Sequence, residues 1–188
     1  MASPPNSSDA IIFGAGNIGR GLVAQLVSAA GMRPVMVEAD VQLARRLREA
    51  GSYDVILTGR TEETHRITGY EVLTTDQRDR IDGAVAGAQF AATAVGGAHL
   101  EEVARTLAPA LEKRATPLSI LVCENRPGAE KILADSLVAS GYKDAGSSCV
   151  KCSVERIVHG VEGSLALLGE GEQTLCADRK TWAGPIIE

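Results

Sequence analysis

Short apolar runs alternate along the chain with stretches in which apolar residues recur every three or four positions, the pattern of strands alternating with helices. Residues 10–13 (Ala10, Ile11, Ile12, Phe13) form one such run and end in a glycine turn. Ile18, Leu22, Leu26 and Ala29 fall on one helical face, and Gly31 supplies a stop for a helix over 18–30. Strands are predicted over 34–38, 53–57, 66–72, 90–95 and 118–123, and helices over 41–50, 78–86, 100–113 and 129–139. Thr58-Gly59 reads as the tip of a hairpin-like excursion. Three further strands, over 147–154, 164–168 and 173–177, follow without intervening helices. The fold class expected from this order is α/β: a Rossmann-type, doubly wound, mainly parallel sheet with a mixed edge near the C-terminus. Residues 1–9 are polar, carry two prolines and read as a disordered lead-in; residues 10–188 read as one domain, with no linker inside it.

Composition narrows the picture. Hydrophobic residues make up 45% of the 188 and aromatic residues only 3%, so the core is built from Val, Ile, Leu and Ala, as in parallel strands covered by helices. A net charge of -5 without a basic stripe argues against a nucleic-acid partner, though local arginines can still hold a small anion. No apolar run is long enough to span a bilayer, and the N-terminus lacks the charged start and apolar middle of a secretory signal, so a cytoplasmic protein without a membrane partner is expected. Cys149 and Cys152 form a C-x-x-C, but on a strand positions i and i+3 point to opposite faces. With no second pair, the four cysteines read as small buried hydrophobes, and no metal site is expected.

The chemistry is concentrated at Gly14-Ala15-Gly16-Asn17-Ile18-Gly19, a G-x-G-x-x-G that follows a strand and opens a helix. Gly14 permits the tight turn, Gly16 lets a pyrophosphate approach the backbone, and Gly19 allows close helix packing. The free N–H groups at the helix start then face the anion, which makes Gly14, Gly16, Asn17, Ile18 and Gly19 candidate cofactor contacts. The second strand ends at Glu38, where a carboxylate can accept both ribose hydroxyls and repel a 2′-phosphate. No arginine follows in Ala39-Asp40-Val41, so the expected cofactor is NAD rather than NADP. Asp40 is the alternative ribose partner if Glu38 is only a solvated strand-end acid.

The stretch from Phe13 to Gly21 resembles the N-terminal signature of the polyol-specific long-chain dehydrogenases, the family of mannitol-1-phosphate 5-dehydrogenase. Ser52-Tyr53, Thr93-Ala94-Val95-Gly96, Cys123-Glu124-Asn125 and Val154-Glu155-Arg156-Ile157-Val158 resemble the same family in order. The resemblance implies hydride transfer between NAD and a polyol or polyol phosphate and its ketose. It implies that the backbone of Thr93, Ala94, Val95 and Gly96 lines the nicotinamide side. It places Asn125 at a strand's carboxyl end, to bond a substrate oxygen or the ribose; the other reading is a turn residue before Pro127. Arg20, in the first turn of the first helix, is a candidate for a phosphate on cofactor or substrate, and Arg156 and Glu155 are candidates for the substrate side; for the arginines the other reading is a surface position. Two positions depart from the family pattern: Glu155 stands for an aspartate and His159 for a proline, which puts the substrate loop in question. The family does not use the His159 position for catalysis.

The family's catalytic lysine, asparagine and histidine lie on a helix of a second domain, spaced K-x-x-x-x-N-x-x-H. The nearest match, Lys151, Arg156 and His159, has the wrong middle residue. The helical catalytic domain is therefore expected to be absent from these 188 residues. Three readings stay open: a cofactor-binding domain of a longer dehydrogenase, a stand-alone NAD(H)-binding module without turnover, and a repurposed domain working with a partner chain. Apolar surface near Ile157, Val158, Ile186 and Ile187, which a helical domain or partner chain would cover, is expected to make the chain self-associate through its C-terminal region or to leave its last residues disordered; the competing expectation is a monomer with polar cover from Glu155, His159, Glu162 and Glu188.

Overall fold

A computed structural model describes residues 9–171 and 175–178. The order is β1 (Asp9–Phe13), a π-helical stretch (Gly19–Ala24) continuing into α1 (Gln25–Ala29), β2 (Arg33–Glu38), α2 (Val41–Ala50), β3 (Ser52–Thr58), β4 (Glu63–Thr68) and β5 (Glu71–Thr74). Then follow α3 (Arg78–Gly87), β6 (Ala88–Thr93), α4 (Leu100–Leu111), β7 (Ile120–Val122), α5 (Ala129–Ala139), α6 (Ala145–Ser148) and β8 (Cys149–Val154). β9 (Val158–Gly160), β10 (Leu167–Glu170) and β11 (Leu175–Ala177) complete the described elements. Asp9, expected in the lead-in, opens β1 and takes a hydrogen bond from Arg33 Nε at 2.9 Å.

Seven strands form the main sheet in the order β11-β8-β7-β6-β1-β2-β5. All neighbours are parallel except β11, which runs antiparallel to β8, so the C-terminal edge is mixed as the pattern predicted. The chain winds outward from β1 through β2 to β5 and then returns to place β6 on the other side of β1. That reversal opens a crevice at the carboxyl ends of β1 and β6, where ligands bind in open α/β sheets. Strand alternation gives the sheet two apolar faces. Ile11 and Phe13 share one core with Val85, Leu107 and Leu133; Ala10 and Ile12 share the other with Val23, Leu47 and Tyr53.

The helix termini follow local chemistry. Asp40 caps α2, its Oδ1 accepting from the N–H groups of Gln42 and Leu43 at 2.8 and 3.1 Å. Gly51 ends the same helix in the left-handed region, at φ 63°.

Three expectations are corrected. The predicted strand over 66–72 is broken at Gly69 (φ 69°), so β4 stays in a hairpin with β3 while β5 crosses to the edge of the main sheet. The segment predicted as a strand over 164–168 pairs from Leu167 instead, and β9, which the pattern did not show, joins it. These make a second sheet, ordered β4-β3-β10-β9, rather than a continuation of the main one. Finally, the first helix is not uniformly α-helical. The carbonyl of Arg20 accepts from Tyr53 Oη at 3.2 Å and that of Gly21 from Arg156 Nη1 at 3.1 Å. Side chains inserted at the carbonyls in this way are a physical cause of a widened turn. A Cβ on Gly21 would lie 2.5 Å from Val158, so this residue is where the second sheet rests on the helix.

Candidate functional site

The glycine loop is fastened to both flanking strands. Gly14 adopts φ 93°, and its N–H donates to Val37 O at 2.8 Å. A Cβ there would stand 2.3 Å from Ala94 O. One on Gly19 would stand 1.9 Å from Gly14 O, so the third glycine makes room for the loop's own carbonyl. Gly16 differs: nothing lies within 4 Å of where its Cβ would be. That space borders a cleft of about 380 Å³ whose lining includes Gly14, Gly16, Glu38, Val95, His99 and Val103. An open approach to bare backbone at a helix start, flanked by an apolar slot and an acid, fits a pyrophosphate with adenosine beside it.

Glu38 lines this cleft and is already engaged. Its Oε2 accepts from Ala15 N at 2.7 Å and its Oε1 from Asp40 N at 2.8 Å. A carboxylate has roughly four acceptor positions, so two such bonds leave capacity for ribose hydroxyls. Asp40, the alternative ribose partner, spends an oxygen on the α2 cap while also lining the cleft.

Across the crevice, Ala94 and Val95 line the same cleft. Ala94 N donates to Phe13 O at 2.8 Å, which stitches the loop after β6 to the end of β1. Thr93 is fully buried; its carbonyl accepts from Cys123 N at 3.0 Å, and its Oγ1 has no hydrogen-bond partner among the described residues. Gly96, at φ 84°, and Val95 are held by a residue whose role the sequence did not disclose. The carboxylate of Glu124 accepts from Val95 N and Gly96 N, each at 2.9 Å, and Glu124 is only 8% exposed. The available signal was an acid following a wholly apolar strand directly, where a buried charge requires backbone donors.

Asn125 lies just past β7, exposed, and its side chain makes no hydrogen bond among the described residues. Asn17 is exposed on the loop, its Oδ1 facing Gly160, and Ile18 packs partly against the second core. The arginines proposed for a phosphate are turned inward. Arg20 donates from Nε to Ala15 O at 2.6 Å and from Nη1 to Leu165 O at 2.7 Å. Arg156 donates from Nη1 to Gly21 O and to Gln25 Oε1. Burial lowers the pKa of both guanidiniums, and neither lines the cleft. Glu155 is exposed beside the second of them. Of the candidates, then, Gly14 and Gly16 of the glycine loop, Glu38, Ala94 and Val95 meet around one cleft, while Arg20 and Arg156 stand behind it.

Cys149 and Cys152 pack into opposite cores, and burial pushes the Cys149 thiol up to about 12. Cys176, expected to be buried, is exposed on β11. Among the described residues no group of three or more His, Cys, Asp or Glu side chains is placed to hold a metal, and no helix is long and apolar enough to cross a membrane. Ile157 is 55% exposed, and Val161 and Leu168 are exposed too, whereas Val158 is buried; Ile186 and Ile187 lie outside the described residues.

Residues 8–175 match the family model described as the Rossmann domain of mannitol dehydrogenase. A mannitol-1-phosphate 5-dehydrogenase of Geobacillus thermodenitrificans (strain NG80-2) is 37% identical over 161 residues, covering 79% of this chain and 42% of the relative. One from Arthrobacter sp. (strain FB24) is 34% identical over 158 residues, covering 79% of this chain and 41% of the relative. The chain thus spans about two fifths of the length of these relatives. Among solved structures, an octopine dehydrogenase in complex with NADH and agmatine superposes with a TM-score of 0.66 at 18% identity, covering 91% of this chain and 41% of that one. A putative 2-dehydropantoate 2-reductase from Enterococcus faecalis gives 0.64 at 13% identity, covering 89% and 47%. At these identities the likeness is one of fold.

Proposed function

The chain belongs to the mannitol dehydrogenase family, whose Rossmann domain it carries, and from this we propose that it is the cofactor-holding part of an NAD-dependent oxidoreductase acting on a polyol or polyol phosphate and its ketose. The observation that carries the cofactor reading is the cleft at Gly16: open backbone beside the first helix, with the carboxylate of Glu38 on its rim. Bound there, the nicotinamide cofactor supplies the hydride acceptor or donor. The chain's own residues bind and orient it. Gly14, Gly16, Asn17, Ile18 and Gly19 form the pyrophosphate loop, Glu38 takes the adenosine ribose, and Thr93–Gly96 form the wall opposite. Glu38 presents negative charge where NADP carries its 2′-phosphate, and no arginine lines the cleft, which favours NAD. Asn125, exposed at a strand's carboxyl end, is the side chain positioned to meet a substrate oxygen.

The test is calorimetric titration with NADH and NADPH beside a turnover assay with NAD and mannitol 1-phosphate. Tight NADH binding over NADPH supports the reading; failure to bind either removes it. A second reading is a module that binds NAD(H) without turnover, which fits a chain spanning about two fifths of the length of its relatives. Micromolar NADH binding without oxidation of any polyol selects that reading.

A further inference from the structure

Arg20 is the second residue of the helix that follows the glycine loop, and it is only 6% exposed. Its guanidinium carbon lies 5.5 Å from the Tyr53 ring centre, and its hydrogen bonds go to neutral carbonyls, of Ala15 and Leu165. No carboxylate pairs with it among the described residues; Glu38, whose charge it feels at longer range, is committed to Ala15 N and Asp40 N. Arginine stays protonated in proteins, so this is a cation taken out of water without a paired counter-charge, an arrangement that costs stability unless something offsets it.

The position of that charge is informative. Ala15, wholly buried between the first two glycines, is gripped at both ends: Glu38 takes its N–H and Arg20 Nε donates to its carbonyl at 2.6 Å. The guanidinium therefore sits directly behind the loop whose other side, at Gly16, opens to the cleft. Through Nη1 and Leu165 it also ties that loop to the turn between β9 and β10.

We propose that Arg20 is a positioning residue for the dinucleotide: a buried positive charge behind the glycine loop whose counter-charge is the pyrophosphate on the loop's far side, which it attracts without touching. This rests on the dinucleotide reading of the cleft. A plain brace would hold the loop's shape, and its loss would weaken every ligand alike. A buried charge acts selectively on the phosphates, because Coulomb attraction across protein is far less screened than across water.

The experiment separates the two with ADP-ribose and adenosine as probes, titrated into the whole chain and its R20Q and R20K variants at low and high salt. R20Q keeps a planar donor and loses the charge; R20K keeps the charge and loses the fork. R20Q is expected to lose about tenfold or more in ADP-ribose affinity while adenosine changes by less than about twofold. R20K is expected to keep the wild-type ratio of the two affinities within about threefold. Equal losses for both probes in R20Q, or a ratio in R20K as low as in R20Q, would overturn the proposal and leave Arg20 a brace. If R20Q does not fold, R20K decides alone: a preserved ratio supports the charge, and a ratio fallen by about tenfold overturns it. Wild-type protein that binds neither probe would instead remove the dinucleotide reading, and the proposal with it.

Discussion

Two glutamates at the carboxyl edge of the sheet do the same thing with different consequences. Glu38 closes β2 and Glu124 stands two residues past β7; each spends both carboxylate oxygens on backbone N–H groups of a neighbouring loop. Glu38 stays part-exposed on the rim of the cleft, with acceptor capacity left over. Glu124 is buried under the loop it holds. Carboxylates serve here because loops leaving parallel strands carry N–H groups that no ladder satisfies. Exposure then decides whether such a group can also meet a ligand.

The largest effect is expected from Gly19→Ala, because the neighbouring Gly14 touches both sides of the crevice, donating to Val37 O on one and lying against Ala94 O on the other. A Cβ 1.9 Å from Gly14 O forces the backbone to move, and we expect a loss of about 3 kcal/mol or more in urea unfolding together with loss of NADH binding. Glu124→Ala comes next. It removes a buried side chain and leaves the N–H donors of half-buried Val95 and exposed Gly96 without their acceptor, and a loss of roughly 2 kcal/mol is expected in the same unfolding measurement. Equal stability losses for Glu124→Ala and Glu38→Ala would erase the distinction drawn here.

Glu38→Ala should cost less stability, about 1 kcal/mol, since the side chain is half-exposed and the freed donor of Asp40 faces water, leaving only that of buried Ala15 stranded. Its main effect should fall on the ligand: NADH binding weaker by about tenfold, with NADPH gaining relative to NADH in parallel titrations. A wild-type preference for NADPH would show that Glu38 does not meet the ribose. The smallest effect is expected from Asn125→Ala. With an exposed side chain bonded to nothing among the described residues, it should leave unfolding within about 0.5 kcal/mol of wild type. Any change should then appear in the substrate KM of the turnover assay.

The glycine loop, the strand before it and the acid at the end of β2 were legible in the sequence because they depend on short-range geometry. Twenty-five residues, Gly14 to Glu38, contain the turn, the helix start and the strand-end acid, and their spacing has few other structural uses. The two-core, mainly parallel sheet followed from the alternation of apolar runs with helical faces. What the pattern did not contain was partnership. Apolar runs in the last third of the chain predicted strands but could not say that β10 pairs with β3, more than 100 positions earlier in the sequence, rather than with the main sheet. Arg20 and Arg156 looked like phosphate ligands because a guanidinium's reach is local while its burial is not. Leu165 lies 145 positions from Arg20, and Gly21 lies 135 from Arg156, so only the tertiary fold turned both charges inward. Glu124 was hidden for the same reason: its two donors come from a loop 28 and 29 residues upstream, brought to it by the parallel pairing of β6 with β7. Sequence by itself determined the periods, the turn and the anion-binding loop, which are properties of neighbouring residues. Tertiary structure decided which charges face the cleft and which stand behind it, because desolvation depends on everything packed around a group and not on its neighbours along the chain.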